Sequence, residues 1–335
     1  MSKPSAQVGQ HLFIGLTGAE LTPDDRRLLK TIRPGGIVLF ARNVVSAEQL
    51  RELCGNLLRD GPPHLVIVID QEQGRVNRLR NIVGEAPTIV DLKKLGNRKL
   101  AVDFGRKTGQ WLHRFGIDID FAPVLDLELF GPKTDNALRG RCWGRTAEEV
   151  AQWAGAFLDG LQQEGVTSCP KHFPGLGAAT VDSHEQLPTI IRSREQLVSE
   201  DVAPYVRLMP RLSAIMVGHG HYPAFDAAAP RRPASLSRTI VTDLLRRQLG
   251  FAGLVLTDDM DMGAITQFGP VDQAVVEAFD AGADVILVCH TPEKMLAAHE
   301  ALAKAVESGR VTGERLADSQ ERIQRIREKW SRRET

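Results

Sequence analysis

Short apolar runs recur along the chain, separated by longer polar segments with helical spacing. The runs are HLFIGL from His11, GGIVLF from Gly35, HLVIVID from His64 and GIDIDFAPVLD from Gly116, then GVTSCPKH from Gly165, SAIMVGH from Ser213, GLVLTDD from Gly253 and ADVILVCH from Ala283. Most are near-continuous Val, Ile and Leu rather than alternating, the pattern of a parallel strand covered on both faces. Helix start signals lie between them. Thr22-Pro23-Asp24-Asp25 opens one helix, with Pro at the first helical position and acids in the first turn. Thr146–Leu161 is a second, carrying Ala151, Ala154, Phe157, Leu158 and Leu161 along one side. Ser237–Leu249 and Pro270–Ala281 repeat the design, and Thr312–Lys329 reads as a closing amphipathic helix. Gly84–Asn97 lacks regular spacing and is expected to be a long loop. Strands alternating with helices in this way predict an α/β chain, a (β/α)8 TIM barrel forming one domain over residues 1–335. The competing architecture is an open doubly wound sheet, but no GxGxxG follows the first strand.

Charge narrows the class of ligand. Lys and Arg total 42 against 42 Asp and Glu, so no basic field points to nucleic acid or to an anionic membrane. A small or neutral ligand fits better. Cys54, Cys142, Cys169 and Cys289 are scattered with no CxxC pair, which reads as buried thiols in a reducing cytosol rather than a zinc cage or disulfide framework. The first residues show no charged segment followed by a long apolar core, and no window approaches the ~20 apolar residues of a membrane span. The expectation is a cytoplasmic protein.

Candidate chemistry follows from the barrel, because side chains at the C-terminal ends of its strands converge on one mouth. Those ends carry Arg42 after the second run, then Asp70, Glu72, Arg75 and Arg78 after the third. Asp126 follows the fourth, Lys171 and His172 the fifth, and His219 and His221 the sixth. Asp258 and Asp259 follow the seventh, and His290 the eighth. Of the Asp258–Asp259 pair one is expected to be chemical and the other structural. Arg75 is a candidate ion-pair partner for Glu72. His219 and His221 form an HxH pair that could bind a metal, although core or ligand-lining histidines are the plainer reading. The stretch KHFPGLGAATVDSH, Lys171–His184, is both loop-like and rich in ionisable groups. Its Asp182 and His184 are spaced as an orienting carboxylate and a proton-transferring imidazole. Gly175 and Gly177 are expected to give this loop the backbone freedom to close over a ligand.

Carboxylates beside fixed cationic donors suit a polyhydroxylated ligand, since ionised Asp accepts from hydroxyls while Arg and Lys donate. At this point the residues resemble a family. GGIVLFARN, DQEQGRV, FAPVLD, RGRCWG, KHFPGLG, DSH, GLVLTDDM and AGADVILV, in that order, are similar to bacterial β-N-acetylhexosaminidases of glycoside hydrolase family 3. The resemblance implies a retaining, exo-acting β-N-acetylglucosaminidase that releases β-linked N-acetylglucosamine from non-reducing ends. It implies Asp258 as the nucleophile and His184 with Asp182 as the acid/base dyad, and Asp70, Arg78, Arg141, Lys171 and His172 as the residues that hold the sugar. The expected role is muropeptide cleavage in peptidoglycan recycling, with a chitin fragment or another conjugate as the alternative source of the sugar. The substrate is then a small carbohydrate, and no metal or other cofactor is expected. A metal-dependent barrel hydrolase and, within the family, a β-glycoside phosphorylase are the alternatives. The chain departs from the family pattern at Leu176, where KHFPGHG has a histidine, at Ala178 and Ala179 in place of an acid and a threonine, and at Gln73 in place of a glycine.

Overall fold

The computed structural model describes residues 8–129, 137–227 and 231–331. Each of the eight apolar runs contributes a strand: β1 (Leu12–Gly15), β2 (Gly36–Leu39), β3 (Val66–Ile69), β4 (Ile119–Asp120), β5 (Thr167–Ser168), β6 (Ala214–Val217), β7 (Leu254–Asp259) and β8 (Val285–Val288). They form one parallel sheet in the order β5-β4-β3-β2-β1-β8-β7-β6. The two end strands approach each other through the residues after β5: Met216 donates to Pro170 O and Phe173 to Met216 O, each at 2.9 Å. With the surrounding helices this makes a (β/α)8 TIM barrel.

The continuous apolar runs reflect burial on two sides. One set of strand side chains, including Phe13, Val68, Phe121, Met216 and Leu287, fills the barrel interior. The other set, including Ile14, Ile37, Ile67, Ile215 and Ile286, packs outward under the helices. The helices used below are α1 (Pro23–Ile32), α2 (Ile89–Lys94), α3 (Ala147–Gln163), α4 (Thr239–Gln248), α5 (Gly263–Thr266), α6 (Val271–Ala281) and α7 (Gly313–Ser331). Thr22 caps α1 in a reciprocal box: its hydroxyl accepts from Asp25 N at 3.1 Å, and Asp25 Oδ2 accepts from Thr22 N at 3.0 Å. From α7, Ile323 and Ile326 reach the interior cluster at the end opposite the mouth, closing the barrel floor. No helix among the described residues is long and apolar enough to cross a membrane.

Two segments differ from expectation. Residues 84–97 are not wholly a loop: Thr88 and Asp91 form a capping box that starts α2, and Ile89 and Leu92 are buried beneath it. α4 is wound more widely than an α-helix, ending with Leu249 N donating to Leu244 O at 2.9 Å, a span of five residues.

Candidate active site

At the C-terminal ends of the strands lies a cavity of about 220 Å³. Its floor is apolar, with Val38, Phe121, Met216 and Leu287 rising from the barrel interior. All eight candidate residues, Asp70, Arg78, Arg141, Lys171, His172, Asp182, His184 and Asp258, line it.

Four of them form one charged network with Glu72. Lys171 extends β5 through its pairing with Val124, and its ammonium sits between Asp70, to which it is hydrogen-bonded, and Glu72 at 2.7 Å. Arg141 grips Glu72 with both arms, Nη2 at 2.8 Å and Nε at 2.9 Å. Arg78 stands 3.5 Å from the second oxygen of Asp70. Glu72 is therefore paired with Arg141 and Lys171, and not with Arg75, which bonds instead to the Ala137 carbonyl. Desolvation pushes both carboxyls upward, but the adjacent cations outweigh it. Lys171 and Arg78 hold Asp70 below the ordinary carboxylate range, and Arg141 and Lys171 hold Glu72 far below it. The reverse holds for Lys171: burial disfavours its charge, yet Asp70 and Glu72 raise its pKa. All these groups are ionised at neutral pH. Gln73 braces this network from behind. Its Nε2 donates to the Arg141 carbonyl at 3.0 Å and its Oε1 accepts from Ile89 N at 2.9 Å, tying the Arg141 loop to the start of α2. A glycine there could make neither bond.

His172 stands beside the network. Its Nδ1 meets Asp126 Oδ2 at 2.7 Å, and its Nε2 lies 3.9 Å from Asp258 Oδ2. Desolvation raises the Asp258 carboxyl, but the fields of His172, His219 and His184, with the Asp259 backbone N–H, bring its pKa below the usual value. Asp258 is thus an anion with an oxygen turned to the cavity. Asp259 is spent differently. Its Oδ1 accepts from the backbone N–H groups of Asp261 and Cys289, each at 3.1 Å, and its Oδ2 lies 3.2 Å from His290 Nε2. The adjacent acids divide into one facing the ligand space and one tying β7 to β8.

Asp182 and His184 face the cavity from the turn beyond Lys171. His184 Nδ1 meets Asp182 Oδ1 at 2.7 Å, and its backbone N–H donates to the same oxygen at 2.9 Å. Partial burial pushes the Asp182 carboxyl up, and these two bonds with the His184 charge bring it below its ordinary value. The His184 side chain is 62% exposed, so its Nε2 is free to meet a ligand. Gly175 and Gly177 both stand at close approaches, and Gly175 also has a φ of 134°, in the region that favours glycine. A Cβ on Gly177 would stand 2.3 Å from the Leu127 carbonyl oxygen, and one on Gly175 2.8 Å from the Asp201 Cβ. The turn is docked against the barrel, with Gly263 N donating to the His184 carbonyl at 2.9 Å. The neighbouring wall is apolar, made of Leu138, Leu176, Ala179 and Val181. Leu176, at a departure from the family pattern, packs on Gly218 and Gly220.

Of the remaining strand-end candidates, Arg75 and His290 also line the cavity, whereas His219, His221 and Arg42 bond to neighbouring segments. His219 is fully buried, bonded to Ser235 Oγ at 2.8 Å and to the Asp259 carbonyl at 3.1 Å, and His221 bonds to the Arg232 carbonyl at 3.3 Å. Among the described residues no three His, Cys, Asp or Glu side chains gather as a metal-binding set. Arg42 donates to the carbonyls of Leu16 and Cys289, at 2.8 and 2.9 Å, stapling β1 to β8. The docking partners of the Asp182–His184 turn escaped sequence reasoning. Their one visible signal is a glycine directly after TDDMDM.

Comparison with known proteins gives a consistent result. A family model described as "Glycosyl hydrolase family 3 N terminal domain" matches residues 6–326. A protein of Idiomarina loihiensis named Beta-hexosaminidase is 35% identical over 283 residues, 83% of each chain. A solved glycoside hydrolase family 3 beta-N-acetylglucosaminidase from Paenibacillus sp. is 36% identical with a TM-score of 0.92. That match covers 98% of this chain but 63% of the longer Paenibacillus chain. A solved family 3 glycosyl hydrolase from Mycobacterium smegmatis is 29% identical, with a TM-score of 0.85 and 97% of both chains covered.

Proposed function

The chain belongs to glycosyl hydrolase family 3, and from that premise we propose that it is a retaining, exo-acting β-N-acetylglucosaminidase. The observation that carries this reading is the meeting of an ionised Asp258 and an Asp182-oriented His184 at one cavity. In the first step a carboxylate oxygen of Asp258 bonds to the anomeric carbon as the glycosidic C–O bond breaks. The departing oxygen takes the proton from Nε2 of the His184 imidazolium. In the second, neutral His184 removes a proton from water, whose oxygen bonds to the anomeric carbon and displaces Asp258. Two inversions retain configuration. Asp182 holds Nδ1–H throughout, so that Nε2 is the nitrogen that exchanges protons.

The network of Asp70, Arg78, Arg141 and Lys171 supplies the sugar-holding donors and acceptors, and His172 Nε2 adds one beside the nucleophile. A cavity closed at its floor by Phe121 and Met216 receives the end of a glycan rather than its middle, which supports exo action. Relatives named for β-hexosaminidase and β-N-acetylglucosaminidase support N-acetylglucosamine as the sugar released. Muropeptides in peptidoglycan recycling are the proposed source. Four buried, unpaired cysteines suit a reducing cytoplasm.

The test is a panel of p-nitrophenyl β-glycosides, with and without phosphate, the first product followed by NMR. The expected result is fast release of β-N-acetylglucosamine and slow release of β-glucose. An α-anomer as first product, or faster cleavage of the glucoside, would reject the proposal. Formation of a glycosyl phosphate in place of the free sugar would make the enzyme a phosphorylase.

A further inference from the structure

The turn that carries His184 is held to the segment that follows Asp258 by three consecutive carbonyl groups. Ser183 O accepts from Ala264 N at 3.2 Å, His184 O from Gly263 N at 2.9 Å, and Glu185 O from Gln267 Nε2 at 2.6 Å. The turn is also bonded within itself, since the Asp182 carbonyl accepts from Glu185 N and Gln186 N, each at 3.0 Å. These bonds make the turn one compact piece. The only hydrogen-bond partner of the His184 ring among the described residues is Asp182, which rides on the same turn. The distance from His184 to the nucleophile is thus set by how the turn docks on α5.

Gly263 is the closest point of that docking. A Cβ there would stand 2.2 Å from Glu185 O, 2.5 Å from Glu185 C and 2.7 Å from His184 O. All three are backbone atoms, so no side-chain rotation relieves the clash and the turn itself must lift. We propose that Gly263 is a positioning residue for catalysis: by admitting the Ser183–Glu185 carbonyls it sets the reach of His184 toward the glycosidic oxygen, with Gln267 as a second clasp. The inference rests on the reading of His184 as acid/base. It adds a requirement that reading lacks, because the proton donor and the nucleophile are aligned through one short stretch of backbone.

The test compares Gly263→Ala, Gln267→Ala and His184→Ala in the full chain. Each is assayed on N-acetyl-β-glucosaminides with methylumbelliferyl and dinitrophenyl leaving groups, and its melting temperature is recorded. A displacement of about 1 Å costs on the order of 100-fold in a step that needs the displaced group. Gly263→Ala should lose ~100-fold in kcat/KM on the methylumbelliferyl substrate and little on the dinitrophenyl one, whose leaving group departs without a proton. Because His184 also deprotonates the water of the second step, kcat should fall on both substrates, and the ratio of kcat/KM values is the quantity compared. Gln267→Ala, at an exposed position, should shift the same ratio by less. If Gly263→Ala is unstable at the assay temperature, Gln267→Ala decides by that ratio. An unchanged ratio in these variants, with His184→Ala still selective between leaving groups, overturns the positioning role. A uniform loss in His184→Ala overturns the acid/base reading, and the positioning role falls with it.

Discussion

Asp126 and His172 are joined at 2.7 Å, and the other oxygen of the same carboxylate accepts the Leu176 backbone N–H at 2.6 Å. One buried acid thus fixes both a ring at the cavity floor and the start of the segment leading to Asp182 and His184. With Nδ1 occupied, His172 presents Nε2 toward Asp258 and the ligand space.

Asp126→Ala should therefore damage binding and turnover together. A freed His172 loses its aim at the sugar and raises KM, while a loosened segment at Leu176 lowers kcat. The combined loss in kcat/KM should reach on the order of 100-fold, as expected when reacting groups shift by about 1 Å. Leaving the Leu176 N–H and the His172 ring without an acceptor should also cost about 1–3 kcal/mol of stability for each orphaned group. Steady-state kinetics and denaturant unfolding read both effects. A variant with wild-type kcat/KM would show that His172 is held by its other contacts.

Asp258→Ala should abolish glycosylation with little change in melting temperature, because the side chain faces the cavity and, among the described residues, accepts a hydrogen bond from the Asp259 N–H and stands 3.9 Å from His172 Nε2. Loss of a nucleophile costs several orders of magnitude in rate. An activated fluorosugar should leave its label on Asp258, located by peptide mass spectrometry. Asp259 is occupied by the Cys289 and Asp261 amides, so a label on Asp259 would reverse the division of roles.

Glu72 governs stability at low pH. The pKa values of Asp70 and Glu72 are lower in the folded chain than in the unfolded one. Their stabilisation is therefore present above the unfolded carboxylate range, about 4, and is lost as pH falls through the lower folded values. Glu72→Gln leaves Lys171 and the Arg141 guanidinium buried with half their counter-charge. Breaking a buried pair in this way costs about 3–5 kcal/mol. Unfolding should be easier at neutral pH, and the decline in melting temperature below about pH 4 should be shallower than in the parent protein. An equally steep acid decline would place the responsible carboxylates elsewhere.

The barrel was legible because burial on both faces leaves a run of apolar residues that survives even where a strand is short. β4 and β5 each span two paired residues, yet GIDIDFAPVLD and GVTSCPKH marked both. The mouth was legible for the same reason, since the end of each run locates its outward residues. Pairings across the mouth were not. Glu72 and Arg141 lie 69 positions apart, and nothing local told that Arg141, rather than nearby Arg75, would reach the acid. α2 was overlooked because six residues carry too little periodicity, although Thr88 and Asp91 hold the right spacing for a cap. The close approaches at Gly175 and Gly177 were not legible either, for a glycine that admits a neighbouring backbone is the same letter as one that permits motion. The Leu127 carbonyl and Asp201, which those glycines admit, lie far along the chain from them.

His184 is held by Asp182 through Nδ1 and is otherwise open to the cavity, which makes the proton transfer separable from sugar binding. General acid catalysis contributes most when the leaving group is basic and must be protonated as it departs, typically about 10²–10⁴-fold. His184→Ala should lose kcat/KM of that order on alkyl and methylumbelliferyl glycosides and far less on dinitrophenyl ones. Asp182→Ala should show a milder defect of the same kind, because the imidazole remains to donate a proton while its orientation, tautomer and charge lose their support. The ratio of rates on basic and acidic leaving groups, at fixed pH, should then fall from the parent to Asp182→Ala and again to His184→Ala. If both variants lose the same factor on every substrate, His184 positions the sugar without protonating the departing oxygen. The proton would then have to come from another group at the mouth, and His172, 3.9 Å from Asp258, would be the next side chain to replace.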